Sequence, residues 1–160
     1  MKKKYKTIIY NVNFGGFGLS PFAEYEYLKR KLAENAKGAK APKIYVFNAE
    51  LISGEKWRSV DPKTLKSLEM TDIRLDYYMF STSPDPEDAS SELHLPNWYN
   101  YDTRKDPILI KLLKQYGSEK ISGNHATLAT MRIPANSGWD IFDYDGRECV
   151  ICAKTHKWRY

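Results

Sequence analysis

Cysteine is nearly absent from this chain: Cys149 and Cys152 are the only two in 160 residues. That excludes a disulfide-dense secreted scaffold and an all-cysteine zinc site. Histidine is as scarce, and His94, His125 and His156 are scattered with no metal or nucleophile spacing. No apolar run approaches the roughly 20 residues of a membrane-spanning helix. The opening Met1-Lys2-Lys3-Lys4-Tyr5 lacks the apolar region and small-residue cleavage site of a signal peptide. No Lys-Ser or Lys-Thr follows the glycine-rich stretch, so a Walker-type phosphate loop is excluded. Ser20 and Pro21 also stand where a dinucleotide fingerprint needs small, close-packing residues. These absences predict a cytoplasmic protein with no cofactor, no metal and no membrane association.

What is present is the material of a packed domain. Apolar residues make up 42% and charged residues 28% of the chain, an ordinary globular balance. The length predicts a single domain over residues 1–160, with an irregular, loop-rich middle at about 50–105. Aromatics reach 14%, mostly Tyr, a residue type that also builds partner surfaces. The net charge of +5 is uneven: residues 1–60 hold 12 Lys/Arg against 5 Asp/Glu, and residues 61–160 hold 13 against 15. A basic first third suits an acidic protein or nucleic acid, or it is simply a solvated lysine face.

The pattern of elements predicts an α+β fold. The run Ile8-Ile9-Tyr10 within Lys6–Phe14 reads as a central strand. Phe22, Tyr25, Leu28 and Leu32 then recur at helical spacing over 21–34. Ser20 is the N-cap candidate, with Pro21 at the first helical position. Ile44–Phe47 and Leu75–Thr82 read as strands, and Asp61-Pro62 opens a short helix through Leu65 and Leu68. Ser83–Ser91 reads as an exposed loop. Asp106-Pro107 opens the clearest helix, with Leu109, Leu112, Leu113 and Tyr116 on one face and Gly117 as its stop. Thr127–Ile133 is a strand, and Trp139–Ala153 a hairpin turning at Asp145-Gly146. That turn pairs Tyr144 with Arg147, Asp143 with Glu148, Phe142 with Cys149, and Ile141 with Val150. The expected architecture is a mixed sheet of five or six strands flanked by two main helices. Its first two strands are parallel through the first helix, and its last three form an antiparallel meander.

Four constellations are candidates for chemistry. The first is Phe14-Gly15-Gly16-Phe17-Gly18-Leu19-Ser20-Pro21, where glycines and a helix start gather amide groups that suit an anion. An anion site there would use Gly15, Gly16, Gly18 and Ser20, with charge from Arg104, Arg132 or Arg147; the plainer reading is a tight strand-to-helix turn. The second is Cys149-x-x-Cys152. Strand positions three apart face opposite sides, so two small buried hydrophobes are expected. The third is Asp143 facing Glu148, which suits acid–base work or a cation but more often marks exposed hairpin acids near Arg147. The fourth interleaves rings with positive charge, at Trp98, Tyr99, Tyr101, Arg104 and Lys105, and again at His156, Lys157, Trp158, Arg159 and Tyr160. Such segments stack single-stranded bases or dock on protein, although no nucleic-acid motif is present.

Several of these pieces together resemble a family of small, uncharacterised proteins that recurs in bacteriophage and large DNA virus genomes. The likeness rests on Gly15-Gly16-Phe17-Gly18-Leu19-Ser20, on Arg104-Lys105-Asp106-Pro107, and on Tyr116-Gly117-Ser118-Glu119 with Ser122-Gly123. It also rests on Ile133-Pro134 with Trp139-Asp140-Ile141 and Tyr144-Asp145-Gly146-Arg147-Glu148. It covers the first twenty residues and roughly 104–150, and Cys149 and Cys152 lie outside the pattern. The resemblance implies a phage accessory protein, acting in the cytoplasm of an infected bacterium or carried in the virion. The function expected is non-catalytic binding of a host protein or a small phosphorylated, nucleotide-like ligand, in host takeover or anti-defence. The alternative is a minor virion or assembly component, with self-association into a homo-oligomer compatible with both; an enzyme ranks last. Tyr99, Tyr101, Trp98 and Trp158 are the expected partner-binding residues.

Overall fold

The computed structural model describes residues 4–50, 56–67 and 78–153. The chain divides into two compact units, Met1–Leu19 with Pro96–Tyr160, and Ser20–Leu95.

The first unit draws on both ends of the sequence. Strand β1 (Tyr5–Asn11) lies antiparallel to the strand Leu128–Pro134, pairing Ile8 with Met131 and Asn11 with Leu128. A hairpin, Trp139–Tyr144 with Arg147–Cys152, packs on that ladder. Ile8, Ile133, Val150 and Cys152 are buried together, with Tyr10, Met131 and Trp139 closing around them. The hairpin register is the one its turn dictates, Tyr144 opposite Arg147 and Asp143 opposite Glu148. Asp145 and Gly146 have φ of 52° and 81°, the two left-handed residues of a type I′ turn. The helix Pro107–Tyr116 is capped by Asp106, whose Oδ1 accepts from the Ile108 amide at 2.8 Å, and it ends at Gly117, φ 81°. It buries Ile108, Leu109, Leu112 and Leu113, each contributing about 1.5–3 kcal/mol of transfer free energy. One further helical turn, Ser118–Ile121, buries Ile121.

The second unit holds the helix Pro21–Asn35, where Ser20 Oγ accepts from the Ala23 amide at 3.2 Å. It also holds a three-stranded antiparallel sheet in which Tyr45–Glu50 is flanked by Lys56–Val60 and Tyr78–Ser81. Val46, Phe47 and Phe80 are buried. A short helix, Pro62–Ser67, buries Leu65. Ser83–Ser91 is largely exposed and is stitched by its own Ser and Asp side chains.

In chain order these elements are β1, α1 (Pro21–Asn35), β2 (Tyr45–Glu50), β3 (Lys56–Val60), α2 (Pro62–Ser67), β4 (Tyr78–Ser81), α3 (Pro107–Tyr116), α4 (Ser118–Ile121), β5 (Leu128–Pro134), β6 (Trp139–Tyr144) and β7 (Arg147–Cys152). The fold is α+β. The strands do not join one mixed sheet, however. Among the described residues they form three antiparallel groups, β1-β5, β3-β2-β4 and β6-β7. Strand β1 takes β5 rather than β2 as neighbour, so no parallel pair runs through α1. Strand β5 pairs with β1 rather than β6, which leaves β6-β7 as a two-stranded hairpin in place of a meander. Strand β3 is absent from the sequence expectation. Leu68, Leu75 to Tyr77 and the tail Lys154–Tyr160 lie outside the described residues. No described helix is long and apolar enough to cross a membrane.

Candidate functional site

The amide side chain of Asn11, fully buried at the end of β1, organises the site. Its Nδ2 shares its two N–H groups among the carbonyls of Asn13 (2.6 Å), Gly16 (2.9 Å) and Gly146 (2.7 Å). Its Oδ1 accepts from the amide of Thr127 at 2.7 Å. One side chain therefore ties the glycine loop, the hairpin turn and the start of β5 together. The fit is close. A Cβ on Gly146 would lie 2.1 Å from the Gly16 nitrogen, and a Cβ on Gly15 would lie 2.6 Å from that of His125. Gly15 has φ of 114°, a conformation reserved for glycine.

Beneath the loop is a buried ion pair. Arg104, at the 3-10 turn Thr103–Lys105, donates from Nη1 and Nη2 to the two carboxylate oxygens of Glu148 at 2.8 and 2.5 Å. Its Nε donates to the Trp98 carbonyl at 2.6 Å, and its guanidinium lies 3.8 Å from the Phe17 ring centroid. Glu148 Oε2 also accepts from the Asn11 amide at 2.7 Å. Both side chains are 3% exposed. Two charges removed from water at this depth persist because each is paired and hydrogen-bonded.

Over this floor opens a cleft of ≈ 550 Å³. Gly15, Gly16 and Phe17 form one wall, Tyr99 and Tyr101 another, and Ile141, Asp143 and Asp145 the rim. Tyr99 is 87% exposed. The Tyr101 ring meets Trp139 edge-on at 4.9 Å, and its hydroxyl donates to Asp140. That bond holds the Asp140 carboxyl below its usual range and raises the Tyr101 hydroxyl. Asp143 accepts from the Gly146 amide at 3.0 Å. With Arg104 neutralised by Glu148, the free charge at the mouth is negative, from Asp143 and Asp145.

The cleft thus gathers Gly15, Gly16, Tyr99, Tyr101 and Arg104 from the sequence candidates, and leaves others elsewhere. Gly18 gives its carbonyl to the Gly123 amide at 3.0 Å. Ser20 is occupied as the α1 cap. The Gly15 amide points inward, to the Asp145 carbonyl at 3.3 Å. Arg132 lies on β5 with its guanidinium 4.8 Å from the Tyr5 ring, and Arg147 lies 5.8 Å from the Phe14 ring. Trp98 supports Phe17 from 5.6 Å, and Trp158 lies outside the described residues. The Gly15 amide and the Gly16 and Gly18 carbonyls are thus used within the protein, and Arg132 and Arg147 lie against other rings rather than beside Arg104 in the cleft. Glu148, expected as an exposed hairpin acid, is buried because Arg104 arrives from 44 residues away in sequence. Of the two cysteines, Cys152 is buried against Ser137 and Cys149 is exposed. Nothing in the sequence marked Asn11; its place just before the glycine loop was the available signal. Among the described residues no cluster of His, Cys, Asp and Glu could hold a metal. No protein-family model, curated protein or solved structure matches this chain.

Proposed function

We propose that this chain is a non-catalytic accessory protein of phage type that binds a host protein through the cleft. The observation carrying this reading is the division of labour in the site. Arg104 and Glu148 satisfy each other in the interior, and the Asn11 side chain is satisfied there by backbone groups. The outward groups are aromatic rings and carboxylates, the material of a docking surface. Asp143 and Asp145 favour a basic segment on the partner and disfavour a phosphorylated ligand. The setting we propose is the cytoplasm of an infected bacterium, in host takeover or anti-defence; packaging in the virion is the alternative setting.

The test compares the wild type with a Tyr99→Ala/Tyr101→Ala variant. Both are immobilised, exposed to host lysate, and the retained protein is purified and titrated by calorimetry. A host protein that binds the wild type directly and loses at least roughly tenfold in affinity for the variant supports the proposal, since each tenfold is about 1.4 kcal/mol. Equal binding by both overturns it. So does stabilisation by a nucleotide that the Tyr99→Ala/Tyr101→Ala variant loses, since a ligand at 100 times its dissociation constant adds about 2.7 kcal/mol.

A further inference from the structure

A second groove, of ≈ 640 Å³, runs between β1 and α3 on the same unit. None of its lining residues belongs to the cleft. Its lysines come from separate parts of the chain: Lys6 on β1, Lys105 before α3, and Lys111 and Lys114 on α3. Lys111 and Lys114 are exposed, opposite the buried Leu109, Leu112 and Leu113, and a spacing of three sets them side by side on the helix. Lys105 reaches Asp102 at 2.7 Å in a pair whose carboxylate is 86% exposed, a contact that phosphate readily replaces. Lys6 gives its ammonium to the Ser137 carbonyl at 2.6 Å, so it contributes field rather than contact. The other nearby acid, Asp106, is buried as the α3 cap.

The far wall carries a ring. Tyr5 is 41% exposed, with the Lys4 ammonium 5.9 Å and the Arg132 guanidinium 4.8 Å from its centroid. Arg132 faces Thr7, another lining residue, across the β1-β5 ladder. An exposed ring with two cations near it, beside a row of lysines, matches what a single strand presents: a base to stack and phosphates to neutralise. An acidic protein would use the lysines but has no need of the ring. We propose that the β1–α3 groove binds single-stranded nucleic acid, with Lys111 and Lys114 on the phosphates and Tyr5 under a base.

The test is fluorescence anisotropy of the full chain with a labelled oligothymidylate of about 12 nucleotides, within the usual site sizes of ~4–16. Titration across salt gives the charge count. Lys111→Ala/Lys114→Ala should weaken binding and flatten the slope of log K against log salt by about 1.4, since each lost single-strand phosphate contact removes about 0.7. Tyr5→Ala should weaken binding roughly 5- to 150-fold with the slope unchanged, the range for one lost base stack. All three side chains are exposed or half-exposed, so circular dichroism should match the wild type. No binding to the oligonucleotide, or an unchanged slope in the lysine variant, overturns the proposal. Equal displacement by polyglutamate with no effect of Tyr5→Ala also overturns it and assigns the groove to acidic protein.

Discussion

Replacing Glu148 with Gln should cost far more than the loss of one surface acid. The Arg104 guanidinium would stay 3% exposed with no counter-charge. Breaking a buried pair from one side costs about 3–5 kcal/mol. Arg104→Met should cost about the same for the mirror reason, a carboxylate left with only the Asn11 amide. The double variant Arg104→Met/Glu148→Gln removes both charges, and the introduced glutamine oxygen can still accept from the Asn11 amide. What remains is the lost bond from Arg104 Nε to the Trp98 carbonyl, at most about 1–3 kcal/mol. The double variant should therefore be more stable than either single, a coupling possible only for groups that act on each other. Urea unfolding followed by tryptophan emission in a Trp57→Phe/Trp158→Phe background would report Trp98 and Trp139 in the unit that holds the pair. Two singles within about 1 kcal/mol of wild type, or a double equal to the sum of its parts, would refute the buried pair.

Glu24, in the first turn of α1, has its carboxyl pushed up by burial from 4.5 to about 8. The folded state then holds this proton more tightly than the unfolded chain. Its contribution is intact below pH 4.5 and is lost as pH rises towards about 8, by at most about 4 kcal/mol because the side chain keeps some solvent contact. Denaturation midpoints of Glu24→Gln across this range should lose that fall; a pH profile parallel to wild type would count against it. Gly146→Ala would drive a Cβ to 2.1 Å from the Gly16 nitrogen and should destabilise by more than about 3 kcal/mol. Gly16→Ala meets no atom within 4 Å and should cost only the left-handed backbone penalty, about 1–2 kcal/mol. Thermal melts that rank the two the other way would contradict the packing of loop on turn.

The sequence was most legible where the determinants are local. Ser20-Pro21 and Asp106-Pro107 start helices because a side-chain oxygen and a fixed φ act within one turn. Asp145-Gly146 sets its hairpin register because two left-handed residues leave one way to pair the flanking strands. Pairing across distance was not legible. β-favouring residues in β1 suit β2 and β5 alike, and the choice of β5 depends on the loop, turn and Asn11 closing together. Lys56–Val60 mixes Lys, Arg and Ser with its Trp and Val, and Trp57, Arg58 and Ser59 are exposed, so it gives little apolar signal. In the site, the tyrosines and glycines announced themselves by composition. The burial of Arg104 did not, because an arginine looks solvent-facing until its carboxylate partner is in place.

The pairing of β1 with β5 has a consequence for biogenesis. The first strand emerges from the ribosome well over one hundred residues before its neighbour does. At synthesis rates of about 5–20 residues per second, it waits on the order of 6–25 s. During that interval Ile8 and Ile9, both buried in the finished protein, have no partner strand on the nascent chain. Production of this protein should therefore depend on chaperones that shield early segments, and a circular permutant that begins near residue 96 would shorten the wait.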